Sequence, residues 1–377
     1  MAWFILCFSL GYALLAFILH RAKKPKPVNV SFRPRVAVLV AMRNEEKHIA
    51  DCLSSLARQS YPQHLYDVYV LDDRSQDASP AIVDQFRRRY AHIRLIPVKE
   101  DKYGLRGKMN ALAQGMKQVH HEIILITDAD CVVPESWVEN MVAYFDSQTG
   151  MVGALTILYP FDRLSVTHPQ KNWWAKLQTL DWIFLQTMAA VNSNFGKPIT
   201  ILGNNFAFRR QAYLQVGGFE SLGFSVTEDF ALMEAVRKKT PWKIRHTLDV
   251  KNAVYSHPLP TLSEFFRQRH RWMRGGKKAR PWGIFILSFA VLSHAAFWAG
   301  LITAPENPLV WTALLALVSA NAFSIRPVLK RMQLRKLWII FPLFEIFYMA
   351  YLFVFSILFF LPLKVSWKGR TFGECDN

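Results

Sequence analysis

Cysteine is scarce in this 377-residue chain: Cys7, Cys52, Cys131 and Cys375 stand far apart, with neither metal-ligand nor redox spacing. That excludes a zinc cluster or disulfide framework, and the four thiols read as reduced and structurally incidental. Acidic charge is also short. Asp and Glu number 28 against 46 Lys and Arg, a formal charge of +18, which suits nucleic acid, an anionic membrane face or a phosphorylated substrate. Position decides among them. Arg21, Lys23, Lys24 and Lys26 follow one apolar run, the basic cluster from Arg267 to Arg280 precedes another, and Arg326, Lys330, Arg331, Arg335 and Lys336 lie between two more. Basic residues bracketing apolar spans follow the positive-inside pattern, whereas a nucleic-acid binder needs a basic face with aromatics away from the bilayer. The expected partner is a lipid bilayer and no nucleic acid.

The first apolar run, Trp3 to Leu19, carries its basic residues after the apolar part and has no small-residue cleavage site behind it. It reads as a retained anchor over residues 1–20 with its C-terminal end in the cytosol, long enough to span at the ~17–25 residues a helix needs. Residues 21–34 form a basic, proline-bearing linker. Three further apolar segments, Trp282 to Leu301, Leu309 to Phe323 and Leu337 to Leu363, fill residues 282–363. The loop from Ala304 to Pro308 lacks positive charge and suits the outer side, so the first two form a hairpin. The third has basic residues at both ends and Pro342 and Glu345 inside, which predicts a re-entrant or interfacially bent segment. Residues 364–377 are a basic cytosolic tail.

Between the anchor and these segments the pattern is β-α-β-α. Buried-strand runs at Val36 to Val40, Asp67 to Leu71, Ile93 to Val98 and Glu122 to Thr127 alternate with helical spacing at Ile49 to Gln59, Ala78 to Tyr90 and Lys108 to Val119. That alternation predicts an α/β domain with a mostly parallel, Rossmann-like sheet. Three strand ends carry polar clusters: Arg43, Asn44 and Glu45; Asp72 and Asp73; Asp128 and Asp130. In a parallel sheet these ends share one edge, where open α/β sheets bind ligands. Carboxylates at a strand end must be solvated, hydrogen-bonded or holding a cation. Asp77 reads as a helix cap.

From Gln170 to Val191 an apolar stripe of Trp173, Leu177, Leu180, Phe184, Met188 and Val191 fits either a helix buried on the domain or an interfacial helix, given the crowding of Trp173, Trp174 and Trp182. Glu228 and Asp229 open a helix from Phe230 to Lys239, where acidic residues favour the macrodipole. Residues 261–281 predict an amphipathic interfacial helix containing Gln268, Arg269, His270, Arg271 and Trp272.

These motifs together resemble the membrane-embedded branch of family 2 glycosyltransferases with the GT-A fold, over residues 35–260 and the following helix. Asp72-Asp73 resembles the first aspartate motif, Asp128-Ala129-Asp130 the metal-binding motif, Thr227-Glu228-Asp229 the catalytic-base motif and Gln268 to Trp272 the Q(Q/R)xRW motif; Gly107-Lys108 and Gly217-Gly218-Phe219 also match. Four motifs in the family's order are specific.

The resemblance implies a role for each position. Arg43, Asn44, Glu45, Asp72, Asp73 and Lys108 contact the nucleotide sugar, with Asp128, Gln268, Arg269 and Arg271 at its diphosphate. Asp130, with Asp128, holds Mn²⁺ or Mg²⁺, ions that prefer hard oxygen ligands. Asp229 is the general base, and Trp272 and Glu228 serve the acceptor. The implied reaction is an inverting transfer from a UDP-sugar donor.

One anchor and at most three later segments leave little helix for a secretion channel, which favours a membrane lipid acceptor over a growing polysaccharide. The tail from Val365 to Arg370 also resembles the basic ends of ceramide-glucosyltransferase-like proteins. The expected setting is a multi-pass protein of a bacterial inner membrane with the catalytic domain facing the cytosol; no oligomeric state is implied. A processive polysaccharide synthase shares the motifs, and a catalytically silent scaffold with a GT-A binding domain is the non-enzymatic alternative. A metal-dependent nucleotidyltransferase would use paired aspartates without Thr227 to Asp229 followed by Gln268 to Trp272.

Overall fold

The computed structural model describes residues 1–21, 24–28, 31–158, 173–275, 281–358, 365–367 and 370–372. Lys277, Lys278, Arg280 and most of the expected basic tail lie outside the described residues. The chain divides into two compact units. One comprises residues 25–166, 200–258 and 366–377; the other comprises 1–24, 167–199 and 259–365.

The first unit holds a seven-stranded sheet. β1 (Val36–Met42), α2 (Ile49–Ala57), β2 (Tyr66–Asp72), α3 (Ser79–Arg89), β3 (Ile93–Pro97), α4 (Gly107–Met116) and β4 (Ile123–Asp128) follow one another, α1 being the N-terminal helix of the other unit (Ala2–His20). Each expected strand and helix is present within a few residues of its sequence position. β2, β1 and β4 are parallel neighbours, with Val40 opposite both Val70 and Thr127, and β3 pairs parallel with β2. Central strands covered on both faces are continuous apolar runs, and Val36, Val38, Val40, Ile123 and Leu125 are fully buried accordingly. Each such side chain contributes roughly 1.5–3 kcal/mol by leaving water.

After α5 (Trp137–Val142) the sheet changes direction. β5 (Thr149–Gly153) is followed by the short β6 (Thr156–Leu158), and β7 (Asn205–Arg209) enters between β4 and β5, antiparallel to both. α7 (Arg210–Gln215) and α8 (Glu228–Lys239) lead to β8 (Lys243–His246), which pairs parallel with β5, and β9 (Val254–Ser256) pairs with β6. Buried Asn205 secures the splice: its amide donates to the carbonyls of Leu155 (2.6 Å) and Asn252 (2.8 Å), while its oxygen accepts from the Trp137 indole (3.0 Å).

The second unit is helical: α1, α6 (Trp173–Asn194), α9 (Leu262–Gly275), α10 (Pro281–Thr303), α11 (Pro308–Arg331) and α12 (Phe341–Leu358). Ala2–His20, Pro281–Thr303, Pro308–Arg331 and Arg335–Leu358 are each long and apolar enough to cross a membrane, by length and composition. α1 approaches α10 closely, because a side chain at Gly300 would meet Ile5 at 2.5 Å. Polar ties cross the apolar pack: Tyr12 donates to Asn321 (2.9 Å), whose amide donates to buried Glu345 (3.0 Å).

Pro342, inside the third predicted apolar segment, is the second residue of α12 and falls in the first turn, where a missing N–H is harmless. α6 lies within the expected catalytic span 35–260, yet it packs with α11 and α12. Its burial reaches well beyond the predicted stripe, to Gln178, Asp181, Trp182 and Gln186.

Candidate active site

The β1 and β2 ends build one loop pair. Asn44 (φ 54°) and Arg74 (φ 60°) both adopt the left-handed conformation, which asparagine tolerates well and arginine poorly. Cross-links hold them there. Arg43 donates to the Asp73 carbonyl (2.7 Å), the Asn44 N–H to Ser75 Oγ (3.0 Å), the Gln76 N–H to Asn44 Oδ1 (2.8 Å) and the Glu45 N–H to Ser79 Oγ (2.7 Å). Asp72 accepts the Ser75 N–H (3.1 Å) and so shapes its own turn, while buried Asp73 is gripped by Arg74 at 2.9 and 3.0 Å. Asp77, one residue before the α3 N-cap Ala78, accepts the N–H of Ser79 (3.0 Å), an Asx turn leading into the helix. A polar cleft of about 450 Å³ is lined by Asn44 to His48 with Gln76 and Asp77.

Along the same strand edge, Asp128 ends β4. The Lys108 ammonium, near the start of α4, lies 2.6 Å from Asp128 Oδ1, 2.8 Å from Glu228 Oε1 and 3.0 Å from the Gly203 carbonyl. Burial alone would discharge this lysine, but Asp128 and then Glu228 hold its pKa well above the ordinary range. One cation therefore joins the aspartate pair to the first turn of α8. Asp229, half-buried beside Glu228, accepts the Phe230 N–H through Oδ1 (2.8 Å). Gly203 packs against it so closely that a β-carbon there would lie 2.9 Å from Asp229 Oδ2 and 3.1 Å from Glu228 Oε1.

Arg43 to Glu45, Asp72, Asp73, Lys108, Asp128, Asp130, Glu228 and Asp229 thus all belong to the sheet-bearing unit, remote in sequence but built into one half of the chain. Glu228, 5% exposed, turns its carboxylate to Lys108, which is held in turn by Glu228 and Asp128.

Among the described residues no group of three or more His, Cys, Asp and Glu is placed to share a metal. Asp128 and Asp130 nevertheless fit a hard divalent cation that keeps waters and substrate phosphates as its other ligands. Both are partly exposed at a strand end, and the Lys108 ammonium lies beside Oδ1 of Asp128.

Gln268, Arg269, Arg271 and Trp272 lie on α9, in the helical unit. The Arg269 guanidinium is buried, ion-paired with fully buried Asp181 of α6, and stacked over Phe265 and Trp272 at 4.5 and 4.3 Å. Gln268 Oε1 accepts from it (2.9 Å). Sequence reasoning missed Asp181, Ser75, Ser79 and the closeness of Gly203. The lone acidic residue of α6, set between Leu180 and Trp182, was the available signal for Asp181.

The sheet topology and motif placement define a GT-A-type unit. The chain belongs to glycosyl transferase family 21, whose model matches residues 1–374. It is 29% identical over 246 residues to a beta-monoglucosyldiacylglycerol synthase of Synechocystis sp., covering 64% of this chain and 48% of that one. A poly-beta-1,6-N-acetyl-D-glucosamine synthase of Staphylococcus epidermidis is 24% identical over 328 residues, covering 80% and 73%. Among solved structures, a mannosyltransferase of Pyrobaculum calidifontis in complex with GDP-mannose and Mn²⁺ shares the fold, with TM-score 0.58, 20% identity and coverage of 91% and 96%. The chain spans about half the length of the glucosyldiacylglycerol synthases it matches.

Proposed function

We propose that this protein transfers a hexose, with inversion, from a UDP-sugar to a hydroxyl of a membrane lipid, using Mn²⁺ or Mg²⁺. The observation that carries this reading is the Lys108 bridge, which joins the Asp128 end of β4 to the turn that bears Asp229. Similarity to glucosyldiacylglycerol synthases supports the lipid acceptor.

Each side chain then has a definite task. Asp73 and the Arg43 to Glu45 turn, held rigid by their mutual hydrogen bonds, receive the uridine. Asp130 and Asp128 would hold the cation, which would supply countercharge for the departing diphosphate. Asp229 takes the proton of the acceptor hydroxyl as that oxygen bonds to the anomeric carbon and the bond to UDP breaks. Lys108 keeps Glu228 in place and thereby fixes the first turn of α8 on which Asp229 sits. Gln268, Arg271 and Trp272 serve the diphosphate and the acceptor. The basic residues beside the apolar helices support a catalytic unit on the cytosolic side of a bacterial inner membrane.

Membranes containing the protein, incubated with a panel of UDP-sugars and Mn²⁺, should yield an organic-extractable glycolipid. Product found solely as insoluble or size-excluded polymer would instead establish a processive synthase, the reading favoured by the relative that spans 80% of this chain.

A further inference from the structure

Two arginines two residues apart on a helix are separated by ~200° around its axis, so they face opposite ways. Arg269 and Arg271 of α9 stand in this relation, and it is Arg269 that meets Asp181. The face of α6 that receives it is continuous. Trp174, Gln178, Asp181 and Trp182 recur at helical spacing, and each contacts α9 or the segment leading into it. The Trp174 indole and the Gln178 amide both donate to the Leu259 carbonyl (3.0 and 2.9 Å), and Gln178 Oε1 accepts the Leu259 N–H (3.0 Å). Trp182 packs edge-on to Trp272, with ring centroids 5.3 Å apart.

Asp181 is fully buried, and a buried carboxylate is costly unless paired. Both of its oxygens are used: Oδ2 by Arg269, and Oδ1 by the Tyr351 hydroxyl of α12 at 2.6 Å. This one side chain thus ties α9 to both α6 and α12. A hydrophobic contact resists separation but tolerates rotation; a charged pair with a second hydrogen bond sets rotation as well.

We propose that Asp181 is a positioning residue for the transfer reaction. Through Arg269 and Tyr351 it sets the rotation and register of α9, so that Trp272 is held against Trp182 while Arg271 is carried on the opposite side of the helix. The proposal rests on the transferase reading, which gives Gln268, Arg271 and Trp272 their tasks. It divides the QRHRW motif into an anchoring arginine, Arg269, and a working one, Arg271.

A double-substitution cycle in the full-length protein in detergent tests this: Asp181→Asn, Arg269→Met and both together, the double variant leaving no unpaired buried charge. Each single substitution should lower kcat for transfer at least about tenfold while donor KM changes less than about threefold, because a misaligned α9 fails chiefly as charge develops on the leaving group. The double variant should be no worse than the poorer single, as expected for two residues acting as one unit. Asp181→Glu should recover part of kcat. Amide exchange over residues 262–275 should rise alike in all three. Losses that multiply, a KM effect without a kcat effect, or a loss matched by a fall in the folded fraction would overturn the proposal. A wild-type protein that glycosylates no lipid would sink the transferase reading, and the exchange cycle would still decide whether Asp181 orders α9 through Arg269.

Discussion

The Lys108 ammonium lies 2.8 Å from the Glu228 carboxylate, and Asp128 closes on it from β4. Removing one partner of a buried pair strands the other charge, which typically costs ~3–5 kcal/mol. Lys108→Met should therefore lower the unfolding midpoint of the catalytic unit and abolish transfer. Adding Glu228→Gln to it should recover much of the stability and none of the activity, as read by thermal unfolding beside a transfer assay. If Glu228→Gln alone raises acceptor KM with no loss of stability, Glu228 touches the acceptor after all.

Gly203 lies under Asp229, the proposed general base. A β-carbon there would sit 2.9 Å from Asp229 Oδ2, closer than such contacts allow, so the carboxylate must move. A small displacement of a reacting group costs on the order of 100-fold in rate. Gly203→Ala should show that loss in kcat with little change in unfolding midpoint; unchanged kcat would remove Asp229 from its assigned position.

Asp229→Asn and Asp130→Asn should both leave the protein folded and inactive, but by different routes. Asp130→Asn should also weaken Mn²⁺ binding, measured by calorimetry or electron paramagnetic resonance in the presence of UDP, whereas Asp229→Asn should not. Equal metal affinity in wild type and Asp130→Asn would transfer the ligand role elsewhere.

His246, at the end of β8, is buried, and burial pushes its pKa down to about 4. Above the ordinary histidine value the ring is neutral folded or unfolded, and it contributes no pH dependence. As pH falls from ~6.5 towards 4 the unfolded chain takes up a proton that the folded unit refuses, so stability drops by about 3 kcal/mol over that window. His246→Met should flatten the acid limb of a stability profile between pH 6.5 and 4; an unaltered limb would assign it to other groups.

Continuous apolar runs and helical spacing were sufficient for β1, β2 and β4 and the helices between them because these strands are buried on both faces, so local pattern and tertiary burial agree. Arg43 to Glu45, Asp72, Asp73, Asp128 and Asp130 were legible for the same reason: parallel strands force their ends to one edge. β7 was not, since Asn205 to Arg209 reads as an isolated apolar run and its antiparallel insertion depends on Asn205 finding Leu155, Asn252 and Trp137. The inward turn of Arg269 was equally hidden. Its partner lies 88 residues earlier, and no local pattern distinguishes an arginine that binds phosphate from one that neutralises a buried aspartate.

The insertion of β7 also sets an order of assembly on the ribosome. Among the described residues β5 pairs in the sheet with β7 and β8 alone, and about fifty residues, α6 among them, must be synthesised after it before β7 emerges. At about 5–20 residues per second that is a delay of several seconds. During it β4 and β5 both present an open edge, the kind that invites wrong pairing between nascent chains.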